Sequence, residues 1–143
     1  MIKLSICIAT RNRAKFLIET LTCLLSQISD GVEIVIVDGA STDNSQDLVK
    51  ELNAPSDKLK YFYENENSGV DRDFDKSIEY ASGKYCWLFC DDDLLVPGAI
   101  SSVIDALRTE PEFLVVNSSI HTKNFKNVLS ERILKKHNDT IYN

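Results

Sequence analysis

The chain has 143 residues, 43% of them hydrophobic, with only 5 Gly and 3 Pro, which suits one soluble globular domain with its own core. A formal charge of −6 argues against nucleic acid as the main partner, since phosphate backbones require stripes of Lys and Arg. Lys123, Lys126, Lys135 and Lys136 read as a solvated face. No apolar run approaches the ~20 residues that span a bilayer. The opening MIKLSICIATRNR passes directly into polar residues, unlike a signal peptide. A first strand and a cytoplasmic protein are therefore expected, with peripheral attachment to the inner membrane face left open.

Residues 4–9 read as a strand, and residues 15–27 as a helix with Leu17, Leu21, Leu24, Leu25 and Ile28 on one face. EIVIV (33–37) is a nearly continuous apolar strand, as expected when both faces are covered. Asp43 is placed to cap the next helix, with Gln46 at the capping-box position and Leu48, Val49 and Leu52 as its apolar stripe. Residues 59–63 form a third strand. Val70, Phe74, Ile78 and Ala81 mark a helix that Gly83 ends. YCWLF (85–89) is a fourth strand that runs straight into Asp91, Asp92 and Asp93. Pro97 opens a helix carrying Ile100, Val103, Ile104 and Leu107, and FLVV (113–116) reads as a fifth strand. Beyond Asn117 the pattern fades. Cys7, Cys23, Cys86 and Cys90 form no Cys-x-x-Cys pair and read as small buried hydrophobes of a reducing compartment.

Strand-helix alternation predicts a three-layer α/β/α domain with a mainly parallel sheet, one domain over residues 1–143. In such sheets ligands bind beyond the carboxyl ends of the strands. The segments there are polar: 10–13 (TRNR), 38–43 (DGASTD), 64–69 (ENENSG) and 91–93 (DDD). Three consecutive carboxylates after a buried strand repel one another by several kcal/mol, as an order of magnitude, in a partly desolvated cleft. A hard divalent cation would relieve that repulsion, and Mg²⁺ or Mn²⁺ takes oxygen ligands and shares them with phosphate. The competing reading is a solvated acidic turn that caps the helix at Pro97.

Taken together, KLSICIATRNR, EIVIVDGASTDNS and NSGVDRDFDKSIEYASGKYCWLFCDDDLLVPGAI resemble glycosyltransferase family 2, whose members are inverting enzymes of the GT-A fold. The resemblance covers roughly residues 2–107, and the Gly-Val-Asp-Arg-Asp and Cys-Asp-Asp-Asp wording is nearest to abequosyltransferase-like members, which add deoxysugars to bacterial O-antigen units. By position it implies that Ala9, Thr10 and Arg11 lie against the base and ribose, and that Asp38 contacts one of them. It implies that Asp91 approaches the ribose or sugar, and that Asp92 and Asp93 hold Mn²⁺ or Mg²⁺ on the diphosphate. Arg72 is a candidate diphosphate or sugar contact. The implied partners are a nucleotide-sugar donor and a saccharide or lipid-linked saccharide acceptor, in the synthesis of surface polysaccharide.

Three positions depart from the family pattern. Gly39 stands where a base-contacting Asp is common. Cys90 stands where the first Asp of the metal motif is usual. Asp73-Phe74-Asp75 replaces an Ala-Arg-Asn element, which puts Arg72 out of register. Transfer with inversion needs a general base. Glu110, Glu112, Glu131 and Asp139 are available, but nothing distinguishes them, and the base is expected outside this chain. The chain is shorter than a complete family member, so inactivity alone is expected to be possible. The alternative is a catalytically incomplete nucleotide-binding or interaction domain of the same fold. A phosphoacceptor receiver would need acidic residues after the first strand, and a dinucleotide-binding domain would need Gly-x-Gly-x-x-Gly there; TRNR provides neither.

Overall fold

The computed structural model describes residues 2–122 and 126–131. The chain divides into two units, Met1–Asp105 and Ala106–Asn143. The first unit runs β1 (Leu4–Thr10), α1 (Ala14–Leu25), β2 (Val32–Asp38), α2 (Ser45–Glu51), β3 (Leu59–Tyr63), α3 (Val70–Glu79) and β4 (Tyr85–Leu88). Helix α4 (Ala99–Ala106) ends at the boundary. In the second unit, β5 (Ile120–His121) and β6 (Val128–Ser130) pair antiparallel.

The first unit is built on a four-stranded sheet of order β3-β2-β1-β4, with every pair parallel. All seven residues of β1 and all seven of β2 are buried. Their Ile and Val side chains alternate between two faces, so both faces must be covered, as the apolar run EIVIV predicts. Helix α3 packs over β1 and β2 on one face, where the Cys7 thiol meets the Ser77 carbonyl at 3.6 Å. Helices α1 and α2 pack on each other, and α1 buries Leu17, Leu21 and Leu24. These parallel βαβ units make the three-layer α/β architecture the sequence predicts.

Buried polar groups tie the layers together. Glu33 is 1% exposed. Its carboxylate accepts hydrogen bonds from the Ser5 hydroxyl at 2.7 Å and the Ser82 backbone N–H at 2.6 Å, and it pairs with Lys60 at 2.7 Å. Gly83 follows α3 and approaches β1 so closely that a Cβ there would lie 2.7 Å from the Ser5 backbone nitrogen. Its glycine therefore serves this close approach; α3 itself ends at Glu79.

The structure corrects four expectations. Residues 113–116 are not a strand, and Phe113 is 83% exposed. An apolar run shows that a segment could be buried in a sheet, but a strand forms only where it pairs with a neighbour, and residues 113–116 pair with no strand among the described residues. The loops after the first, second and fourth strands are expected to meet around one ligand, which predicts those strands side by side near the sheet centre; they are adjacent, yet among the described residues β4 is an edge strand rather than a central one. Cys86 and Cys90 are exposed, Cys86 because of that edge position, whereas Cys7 is buried. Burial, with Cys86 next in effect, pushes the Cys7 thiol up to about 12. Finally, Asn44, not Asp43, is the N-cap residue of α2. Asp43 instead accepts the backbone N–H groups of Ala14 at 3.1 Å and Ser45 at 3.0 Å, so it holds the starts of α1 and α2 together. Lys123, Lys135 and Lys136 lie outside the described residues.

Candidate functional site

Because β2, β1 and β4 are neighbours, the segments that follow them meet at one sheet edge. A cleft of about 380 Å³ opens there, within the size range of small-molecule sites. Ala9, Thr10 and Arg11 from the end of β1 form its floor, Asp91 closes one side, and Asp73 of α3 lines the other.

The floor is shaped by a clamp between two loops. Asn12 is left-handed (φ 54°), as is Ala40 (φ 62°), and such non-glycine conformations cost about 1–2 kcal/mol each. Asn12 holds its position through both ends: its N–H donates to the Ser41 hydroxyl at 2.8 Å, and its side-chain oxygen accepts the Thr42 N–H at 2.7 Å. Burial acts to raise the Asp43 carboxyl, but hydrogen bonds from Ser45 and Ala14 outweigh it and hold the group below its usual range.

At the β4 end, Asp91 is nearly buried. It accepts the Thr10 hydroxyl at 2.7 Å and the Arg13 Nε–H at 2.8 Å. The same guanidinium reaches Asp92. Burial opposes the Arg13 charge, yet Asp91 and Asp92 together raise its pKa above the usual value. Thr20, a fully buried hydroxyl on α1, bonds to the backbone carbonyls of Asp91 at 3.0 Å and Asp93 at 3.1 Å. Asp93 has no ion-pair partner among the described residues: burial first, then Asp92, raises its pKa. Burial, followed by the three aspartates, likewise raises the Cys90 thiol.

The cleft thus gathers Ala9, Thr10, Arg11 and Asp91, with Asp92 and Asp93 in the same turn. Two expected contacts do not line it. Asp38 is fully buried, and its oxygens are taken by the Ser41 N–H at 2.7 Å and the Tyr61 hydroxyl. Its position at the end of β2 is right for the site, but the fold turns its carboxylate inward as a brace. Burial, then Asp38, raises the Tyr61 pKa. Arg72 is exposed on α3, one residue and hence ~100° of helix rotation away from Asp73, which does line the cleft. Sequence reasoning passed over Arg13, Thr20 and Asp73. Thr20 left a faint signal as a polar residue inside the Leu17-Leu21-Leu24 stripe.

Among the described residues no three His, Cys, Asp or Glu side chains converge into a metal cage. The donor chemistry nevertheless fits a hard cation: Asp91, Asp92 and Asp93 offer only carboxylate oxygens, and two of them already face a positive charge. Glu110, Glu112 and Glu131 are exposed residues of the second unit, and Asp139 lies outside the described residues.

The parallel sheet with its polar carboxyl edge is the fold of GT-A glycosyltransferases. Mannosyltransferase PcManGT of Pyrobaculum calidifontis, solved with GDP-Man and Mn²⁺, superposes with a TM-score of 0.69 at 22% identity over 84% of this chain and 36% of that one. S. aureus TarS 1–349, solved with UDP-GlcNAc, gives 0.70 at 21% identity over 88% and 39%. The chain belongs to glycosyl transferase family 2, whose pattern matches residues 5–142. Abequosyltransferase RfbV of Salmonella typhimurium is 35% identical over 104 residues, 68% of this chain and 30% of the relative. The GalNAc(5)-diNAcBac-PP-undecaprenol beta-1,3-glucosyltransferase of Campylobacter jejuni is 30% identical over 105 residues, 73% and 34% respectively. The chain therefore spans about a third of the length of these curated relatives.

Proposed function

We propose that this chain is the donor-binding part of an inverting glycosyltransferase. Its reaction would move a hexosyl or deoxyhexosyl group from a nucleotide sugar to a saccharide or lipid-linked saccharide in bacterial surface-polysaccharide synthesis. The observation that carries the proposal is the cleft at the carboxyl ends of β1 and β4 beside the start of α3, lined by Thr10, Arg11 and Arg13 and reaching the carboxylate turn at Asp91. The nucleoside lies over Ala9, Thr10 and Arg11, and Asp91 faces the ribose or sugar. Asp92 and Asp93 hold the cation, while Arg72, at the rim, is kept only as a contact for outlying parts of the donor. Mn²⁺ or Mg²⁺, when bound, supplies charge neutralisation for the diphosphate.

In the proposed reaction the acceptor hydroxyl oxygen bonds to the anomeric carbon as the bond from that carbon to the diphosphate breaks. The hydroxyl proton passes to a carboxylate base, and the nucleoside diphosphate departs with its electron pair. Charge develops on the diphosphate, which is where fixed positive charge lowers the barrier. The chain's own contribution is to orient the donor and keep the carboxylate turn in place through Thr10, Arg13 and Thr20. Among the described residues no helix is long and apolar enough to cross a membrane. A lipid-linked acceptor would be met at the cytoplasmic face of the membrane.

The test is a thermal-shift panel of nucleoside diphosphates with Mn²⁺ and with chelator. A ligand at a hundred times its dissociation constant stabilises a fold by ~2.7 kcal/mol. Stabilisation by one nucleotide that needs the metal supports the reading; no response to any nucleotide in either condition rejects it. Binding without transfer to any acceptor would favour the incomplete-domain alternative, consistent with the part of the relatives that the chain spans.

A further inference from the structure

The carboxylate turn occupies one end of the cleft; at the other end stands a buried carboxylate that the expected chemistry leaves unused. Asp73 is 3% exposed, yet it lines the cleft. Its Oδ1 accepts the Ser68 hydroxyl at 3.0 Å. Its Oδ2 has no hydrogen-bond partner among the described residues, and no cation lies within ion-pair distance of the carboxylate there. That oxygen lies over Gly39, and a Cβ built at position 39 would come within 2.3 Å of it. Any side chain at position 39 would thus expel the Asp73 carboxylate. Glycine at the end of β2 is what lets a carboxylate from α3 enter this space.

Asp73 lies in the first turn of α3. A carboxylate accepts hydrogen bonds and donates none. The nearby Asp38 cannot supply the same acceptor, since Ser41 and Tyr61 already bond to its two oxygens. Gly39 follows β2 and Asp91 follows β4, with β1 between those two strands. Neighbouring strands are ~4.8 Å apart, so the two ends of the cleft are separated by roughly 10 Å. A diphosphate is repelled by Asp73 and drawn to the β4 end, where a cation and Arg13 offset its charge. The group facing Asp73 must then be the opposite end of the nucleotide.

We infer that Asp73 is the base-reading residue: with Gly39 beneath it, its free oxygen accepts a hydrogen bond from an N–H on the polar edge of the nucleobase. The inference rests on the donor-binding reading and adds the residue that selects the base. The shared chemistry is an N–H donor, supplied by a ring N–H (uracil), by an exocyclic amine (cytosine, adenine) or by both (guanine).

The experiment measures binding of UDP, GDP, CDP, ADP and inorganic pyrophosphate, each with Mn²⁺, to the parent chain and to Asp73→Asn and Gly39→Ala. Pyrophosphate carries the metal-binding end without a base. In Asp73→Asn, affinity for the preferred nucleotide should fall tenfold or more, a loss of about 1.4 kcal/mol, with pyrophosphate binding held within about twofold. Gly39→Ala should give the same selective loss, because its methyl group displaces the carboxylate. Preference for UDP assigns the ring N–H, preference for CDP or ADP assigns the amine, and preference for GDP assigns the paired ring N–H and amine of guanine. Equal losses for nucleotide and pyrophosphate would reduce Asp73 to a structural role, and unchanged nucleotide binding would remove it from the site. A parent chain that binds pyrophosphate but no nucleotide overturns the base-reading role alone, whereas one that binds neither overturns the donor-binding reading as well.

Discussion

Arg13 and Asp91, 78 positions apart in the chain, are joined by a hydrogen bond of 2.8 Å from the guanidinium Nε to the carboxylate Oδ1. The loop after β1 thereby supplies a positive charge to the acidic turn after β4 when no metal is present. Removing it exposes the mutual repulsion of three aspartates. Arg13→Gln is therefore expected to lower stability in chelator by about 1–3 kcal/mol, the cost of unpairing a buried carboxylate. It should also raise the affinity for Mn²⁺ without nucleotide, because the cation no longer competes with a guanidinium. Denaturant titration in chelator, paired with Mn²⁺ calorimetry, measures both effects. A variant identical to the parent in both would make the ion pair incidental.

Asp92→Asn keeps the shape of the side chain and removes one charge from the turn. Asp92 is exposed, so the fold should persist with little change in melting temperature. Mn²⁺-dependent nucleotide binding should weaken tenfold or more, that is about 1.4 kcal/mol. Asp93→Asn should act similarly, and Asp91→Asn should cost more stability because Thr10 and Arg13 both bond to it. The helix-capping alternative expects the reverse order, with lower stability for Asp92→Asn and Asp93→Asn and no effect on ligands. Melting temperatures and nucleotide affinities of the three variants, with Mn²⁺ and with chelator, separate the two.

Thr20 touches no part of the cleft floor, yet its hydroxyl reaches the backbone of the acidic turn at two carbonyls. Thr20→Val preserves volume and removes that tether, at a stability cost of about 1 kcal/mol. The turn should then lose its fixed position, weakening metal-dependent nucleotide binding more than metal-free binding. Equal weakening in both conditions would mean that the tether serves the fold alone.

Stability should also depend on Glu33 through pH. Burial acts to raise this carboxyl, but hydrogen bonds from Lys60, Ser5 and Ser82 outweigh it and hold the folded-state value below the ordinary 4.5. A depressed carboxyl contributes stability above the unfolded value and loses it as pH falls through the folded one. Unfolding free energy should fall as pH drops below 4.5, and Glu33→Gln should flatten that part of the profile. At neutral pH the same variant should cost about 2–3 kcal/mol, since it leaves Lys60 without its partner. A Glu33→Gln profile parallel to the parent's would show that another group controls acid unfolding.

The sequence by itself determined the layered α/β architecture and the edge at which the site lies. Periodicity is local: alternating and near-continuous apolar runs reveal strands such as β2, and turn residues reveal where polar loops follow them. The polar segments after β1, β2 and β4 were legible for that reason, together with the aspartates that end the last of them. Local pattern has no access to partners. It could not show that, among the described residues, 113–116 pair with no strand and β4 stands at the sheet edge. Only the tertiary structure decided which carboxylates face the cleft. Asp38 and Asp73 are equally acidic on paper, but Tyr61 and the Ser41 N–H close around the first, while the missing side chain of Gly39 leaves room for the second. Hydrogen bonds between residues far apart in the chain set those orientations, and helix rotation separates Asp73 from Arg72. Arg13 and Thr20 became visible for the same reason: their roles exist only where α1 and the turn after β4 come together in space.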